Sequence, residues 1–196
     1  MFFVAIRFSD EKIARLFDLA RLILQPDFAR PSHITLRGPY ETKSNISDSI
    51  IGKDVGQIVV RKSGKFFIDS QNTVFLEIGI SGVADFWYKP NYPDGVPHLT
   101  LYDGKDRQFA WVIFRTLSMH KWNLSLNSSP MHVLDSKRPL ETDLLFQFEK
   151  YRDTFIILEE TFPSAEQMKE MSSLQRIILV NRIFTKIHSL AHLKQL

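Results

Sequence analysis

Two short stretches, Ser32-His33-Ile34-Thr35-Leu36 and Pro97-His98-Leu99-Thr100-Leu101, share one pattern: a histidine, an apolar residue, a threonine and a leucine, entered through Pro31 or Pro97. In an extended strand residues i and i+2 point to one face. Each stretch therefore turns an imidazole and a hydroxyl to one side and its aliphatic residues to the other. A chain carrying both needs a fold in which two half-buried strands present these pairs. A single His-x-Thr is a weak signal, but of the six histidines only His33 and His98 have a Ser or Thr two positions on. The alternative is a pair of half-buried strand histidines with ordinary β-branched neighbours.

The rest of the chain supplies elements that fit around such strands. Phe2–Phe8 reads as a strand. Ser9-Asp10-Glu11 then opens a helix in which Ile13, Leu16, Phe17, Ala20, Ile23 and Leu24 recur at helical spacing up to Pro26. The first motif strand closes at Gly38-Pro39, and a polar loop spans Glu41–Asp48. Three β-rich runs follow, Gly56–Lys62, Lys65–Asp69 and Thr73–Ile80, with Ser63-Gly64 and Ser70-Gln71-Asn72 between them as turn signals. An aromatic loop, Phe86-Trp87-Tyr88-Lys89-Pro90-Asn91-Tyr92-Pro93, precedes the second motif strand. After that strand come a helix from about Asp106 to Met119 and two closing strands, Lys121–Leu126 and Pro130–Asp135. Strand, helix and motif strand thus occur twice, which predicts an α+β architecture with antiparallel sheets and helices outside.

From Leu140 onward the composition changes. Apolar runs at 144–148 and 154–158 lead into Ser164–Leu196, where Met168, Met171, Leu174, Ile177, Ile178, Ile183, Ile187 and Leu190 give helical periodicity. The expectation is a domain over residues 1–139 and a mostly helical extension over 140–196. The extension either packs on the domain or self-associates with a second copy, and packing is favoured because a Met-rich stripe is usually core. His188 and His192 lie four apart, but Ser189 stands where the zinc-protease pattern needs Glu, so they read as surface residues and no metal site is expected.

Composition narrows the setting. The 196 residues include no cysteine, which excludes disulfides, thiolate catalysis and cysteine zinc sites, and fits a reducing cytoplasm. The opening MFFVAIRFSDEK is too short and too charged for a signal peptide or a spanning helix, so a soluble cytoplasmic protein without a membrane partner is expected. A net charge of +3 is a mild bias toward anionic ligands, far from the dense basic stripe of a duplex binder. Arg30 and Arg37 flank the first motif, and Lys89 and Lys105 the second.

The paired His33-Ile34-Thr35 and His98-Leu99-Thr100 motifs, the opening strand Phe2-Phe3-Val4-Ala5-Ile6, Arg37 after the first motif and Pro97 before the second together resemble the 2H phosphoesterase superfamily, which holds the 2′-5′ RNA ligase-like proteins and cyclic nucleotide phosphodiesterases. The resemblance covers roughly residues 1–138. It implies a bilobal fold around a central cleft, with one motif from each lobe, and hydrolysis of a nucleotide or RNA phosphodiester: a 2′,3′-cyclic phosphate, a 2′-5′ linkage or a cyclic oligonucleotide.

The chemistry suits these residue types. Phosphodiester hydrolysis needs a nucleophile deprotonated and a leaving oxygen protonated, and two histidines on opposite sides of phosphorus supply base and acid without a cofactor. Thr35 and Thr100 would donate to the non-bridging oxygens. By strand alternation Arg37 falls in line with His33 and Thr35, and Tyr102 with His98 and Thr100, as substrate contacts or as plain strand-end residues. Phe86, Trp87, Tyr88 and Tyr92 are candidates to stack a base, or else pack over the sheet. The competing readings are a nucleotide- or RNA-binding module with little turnover and a 2′-5′ RNA ligase.

Overall fold

The computed structural model describes residues 1–26, 30–68, 70–88, 95–136, 144–164, 166–167 and 170–193. The predicted boundary at 139/140, Met168, Lys89 and Tyr92 lie outside the described residues. The fold is α+β. Seven antiparallel strands form one sheet: β1 (Phe2–Ile6), β2 (Ile34–Tyr40), β3 (Gln57–Ile68), β4 (Gln71–Ile80), β5 (His98–Gly104), β6 (Leu124–Asn127) and β7 (His132–Asp135), in the order β6-β3-β4-β5-β2-β1-β7. The described helices are α1 (Glu11–Leu24), α2 (Val83–Phe86), α3 (Arg107–Ser118), α4 (Leu144–Glu149), α5 (Arg152–Leu158) and α6 (Ser173–Leu193).

Local chemistry explains the helix starts. The Asp10 carboxylate accepts from the Ile13 N–H (2.9 Å) and the Asp106 carboxylate from the Phe109 N–H (2.9 Å), each satisfying one donor that a first helical turn leaves open. Helix α1 is buried from Ile13 to Leu24 except at Arg15, because it packs on β5 on one side and against α6 on the other. Val180, Ile183, Phe184, Ile187 and Ala191 of α6 join the same core as Ile34, Leu36, Leu99 and Leu101. The C-terminal segment is thus a second helical layer over α1.

Two expectations change and one is made specific. Ser63-Gly64 is not a turn: β3 runs through it unbroken to Ile68. Gly64 lies opposite Phe75, and a Cβ there would stand 2.3 Å from Phe75 Cε2, so the glycine makes room for a ring rather than for a bend. The two closing strands form, as Leu124–Asn127 and His132–Asp135. They cap opposite edges of the sheet, β6 on β3 and β7 on β1. In α6 the predicted stripe is only half right, since Leu174 (69% exposed) and Ile178 (47% exposed) face outward while Val180 and Phe184 take the buried line.

Candidate active site

The two motif strands are sheet neighbours. β2 pairs with β5 through Ile34 directly opposite Leu99, and both side chains are buried against the helices. Antiparallel pairing then sets His33 across from Thr100 and Thr35 across from His98, one step to either side. All four point away from Ile34 and Leu99 and share the other face of the sheet. His33 and His98 are diagonal neighbours in this arrangement, a spacing of about 7–8 Å between backbones in an antiparallel pair. Among the described residues neither threonine hydroxyl is engaged in a hydrogen bond.

The imidazoles are oriented alike. His33 Nδ1 donates to the Pro31 carbonyl (3.0 Å) and His98 Nδ1 donates to the Val96 carbonyl (2.9 Å), in each case two residues back. A carbonyl only accepts, so each ring carries a proton on Nδ1 and, when neutral, presents Nε2 as its basic nitrogen. Burial pushes His33 down to about 4, helped by the positive charges of Arg21 and Arg30 and by His132, against a smaller opposing effect of the Pro31 hydrogen bond. His33 is therefore neutral at physiological pH.

A charged clasp holds the entry to the first motif. The Ser32 N–H and hydroxyl both donate to Asp18 Oδ1, at 2.6 Å each. Arg7 pairs with the other Asp18 oxygen and donates through Nε to the Ser32 carbonyl (3.1 Å). Asp18 is buried, and desolvation raises its carboxyl above the ordinary range while Arg7 and Ser32 act to lower it. The second motif has Pro97 in the place of Ser32, and the Pro97 carbonyl accepts from the Ile78 N–H (2.8 Å).

Of the predicted substrate contacts, Tyr102 leaves this face, and Arg37, Phe86 and Tyr88 are engaged around α2 and β2. Tyr102 is not in line with His98 and Thr100. Thr100 pairs with Phe75 but Tyr102 pairs with Val74, so a β-bulge at Leu101 breaks the alternation. The Tyr102 ring turns to the helix side and meets Phe109 edge-on at 5.6 Å. Asp103 takes the vacated face, where its carboxylate accepts from Thr73 Oγ1 (2.7 Å) and Gln71 Nε2 (2.8 and 2.9 Å). Arg37 follows an irregularity in the β1–β2 register and donates to the Asp85 carbonyl (2.9 Å), which ties α2 to β2. The backbone of Tyr88 bridges to Arg37 in parallel, with the Tyr88 ring 6.4 Å from Tyr40 and half exposed. Phe86 packs on the core and Trp87 is partly buried.

Residues that the sequence did not single out also surround the histidines. Phe75 lies 4.7 Å from the His98 ring, and Phe66 stacks on Phe75 at 4.7 Å. Glu77 pairs across from His98. Ala5 stands opposite both Thr35 and His132, so His98, Thr35, Ala5 and His132 form one row across four strands. The Pro130-Met131-His132 spacing repeats Pro31-Ser32-His33, and His132 Nδ1 likewise lies near a carbonyl two residues back, Pro130 O at 3.4 Å. His188 is not the plain surface residue expected: it is partly buried, stacks on His120 (5.4 Å) and lies 4.8 Å from Trp122. Among the described residues no cluster suited to a metal ion occurs, and no helix is long and apolar enough to cross a membrane.

Comparison of the chain with protein-family models, curated proteins and solved structures finds no match.

Proposed function

We propose that this protein is a phosphodiesterase of the 2H type that hydrolyses a nucleotide or RNA phosphodiester by two-histidine acid/base catalysis. The observation that carries the reading is the cross-strand register, which sets His33 and His98 on one face, each opposite the other motif's threonine. The matching Nδ1 hydrogen bonds add support, since each leaves Nε2 as the nitrogen that can accept or deliver a proton. The single Ile34–Leu99 pairing between the two halves of the sheet, β6-β3-β4-β5 and β2-β1-β7, is compatible with a bilobal arrangement that contributes one motif per half.

His33, neutral at working pH, is the general base and takes the proton of the attacking water. The water oxygen bonds to phosphorus as the bond to the leaving oxygen breaks. His98, in its protonated form, gives that oxygen its proton. Thr35 and Thr100 donate to the non-bridging oxygens, where negative charge builds in the transition state. The test is hydrolysis of a 2′,3′-cyclic mononucleotide, a 2′-5′ dinucleotide and a cyclic dinucleotide in excess chelator, with product resolved by chromatography. Turnover of one of them that is lost in both His33→Ala and His98→Ala supports the reading; binding without turnover of any phosphodiester returns the protein to the class of binding modules.

A further inference from the structure

Strand β3 has an open half. β6 pairs only with Gln57–Val60, so among the described residues the edge beyond Val60 has no strand beside it. Successive residues there project to opposite faces. Phe66, 49% exposed, lies on the histidine face with its ring 6.1 Å from His98. Phe67 lies on the helix face, 6.1 Å from Trp111 of α3, which is 44% exposed. Lys65, Phe67, Arg107, Gln108, Trp111 and Val112 line a groove there of about 880 Å³.

The charges in this groove are unusual. Lys65 Nζ stands over Phe114 (4.4 Å), Trp111 (5.1 Å) and Phe67 (5.8 Å), and the Arg107 guanidinium over Phe67 (5.7 Å). Among the described residues neither cation has a carboxylate partner, and no acidic residue lines the groove. Lysines on an open edge discourage edge-to-edge pairing, which accounts for Lys62 and Lys65. It does not account for an exposed tryptophan on a helix or for an arginine stacked on a ring, and exposed apolar patches of this kind mark binding surfaces.

These cations and the partly exposed rings of Phe66 and Trp111 suit one ligand chemistry, a strand with a phosphate at every step and a base between. Phe66 on the histidine face and Trp111 on the helix face put aromatic rings on both sides of one edge, which is separated from His98 by β4 and reaches it through the Phe66 ring. We infer that the open edge of β3 and the α3 groove hold the body of a single-stranded nucleic acid whose phosphodiester lies at His33 and His98. This rests on the proposed function, and it makes the substrate an oligonucleotide rather than a free mononucleotide.

The experiment measures affinity of the full chain for a fluorescent single-stranded RNA 12-mer, a duplex of the same sequence and a 2′,3′-cyclic mononucleotide. The variants are Trp111→Ala and the charge reversal Lys65→Glu with Arg107→Glu, all at exposed positions, with thermal midpoints as a folding check. Trp111→Ala is expected to weaken 12-mer binding roughly 5- to 100-fold, the worth of one stacked base. The charge reversal is expected to lower the salt dependence of binding. The ratio of 12-mer to mononucleotide affinity falls in both. Unchanged 12-mer affinity in folded variants overturns the inference, as does equal competition by the duplex. Concentration-dependent self-association that Trp111→Ala abolishes also overturns it, by making the groove a contact between copies. A wild-type protein that binds the 12-mer through Trp111 yet hydrolyses no phosphodiester sinks the proposed catalysis alone.

Discussion

Asp18 holds Ser32 by two donors on one carboxylate oxygen, the backbone N–H and the side-chain hydroxyl, both at 2.6 Å. Ser32 is the residue between the Pro31 carbonyl, which fixes the His33 tautomer, and His33 itself. At the second motif the ring of Pro97 restrains the same backbone position without any helix carboxylate. The first histidine is thus oriented by a buried carboxylate paired with a partly exposed arginine and the second by covalent geometry.

Asp18→Ala is expected to destabilise the fold by about 2–4 kcal/mol, because it leaves Arg7 and two Ser32 donors without their acceptor. The milder Asp18→Asn keeps one acceptor and is expected to fold, with kcat reduced more than KM is raised. Denaturant titration together with kinetics checks this; equal kcat in Asp18→Asn and wild type would remove Asp18 from the orientation of His33.

Each of His33→Ala and His98→Ala is expected to cost on the order of 10²–10⁴ in rate, the worth of one acid or base, and the double variant less than the product of the two. Thr35→Ala and Thr100→Ala cost less. Tyr102→Phe is expected to leave turnover within about twofold, because the ring lies on the opposite face of the sheet against Phe109. A large loss in Tyr102→Phe would contradict the register at Leu101.

The pH profile carries the sign of the His33 environment. A base lowered to about 4 stays competent well below the usual histidine range, so kcat/KM falls only as pH drops through about 4. Replacing Arg21 by Met removes a positive charge beside His33 and is expected to move that acidic limb upward. An acidic limb near the ordinary histidine value in the wild type would show His33 is not the base.

Helix α6 has its own pH dependence. Burial and the neighbouring His120 and His192 lower His188. A histidine depressed in the fold stabilises it above its unfolded value near ~6.5 and loses that contribution as pH falls through the folded one. The docking of α6 is therefore expected to weaken on acidification, read out as a change in Trp122 emission, since that ring lies 4.8 Å from His188. Removing residues 164–196 is expected to lower the thermal midpoint sharply, because Phe184 and Ile187 leave the core shared with α1.

The motif strands were legible because their information is local: alternation within five residues tells which side chains share a face. What was hidden depends on pairing. The bulge that turns Tyr102 away exists only in the register of β5 against β4, and no property of Leu101 announces it. Gly64 looked like a turn because its reason, the ring of Phe75, lies eleven residues on in sequence and opposite in space. Asp18 reads in isolation as an ordinary polar residue of an amphipathic helix, and its role appears only when Ser32 is folded against it. Phe66 and Trp111 gave no periodic signal, since a binding surface violates the pattern that packing imposes.

The strand order also fixes when the fold can close. β1 lies between β2 and β7, and the Met1 carbonyl accepts from Ser136, so strand Phe2–Ile6 waits for residues 132–135 before its outer edge is covered. During synthesis more than a hundred residues emerge while that apolar edge stays open, the kind of long-range closure that is slow and prone to aggregate. A ribosome-stalled chain that ends before His132 is therefore the form most in need of a chaperone.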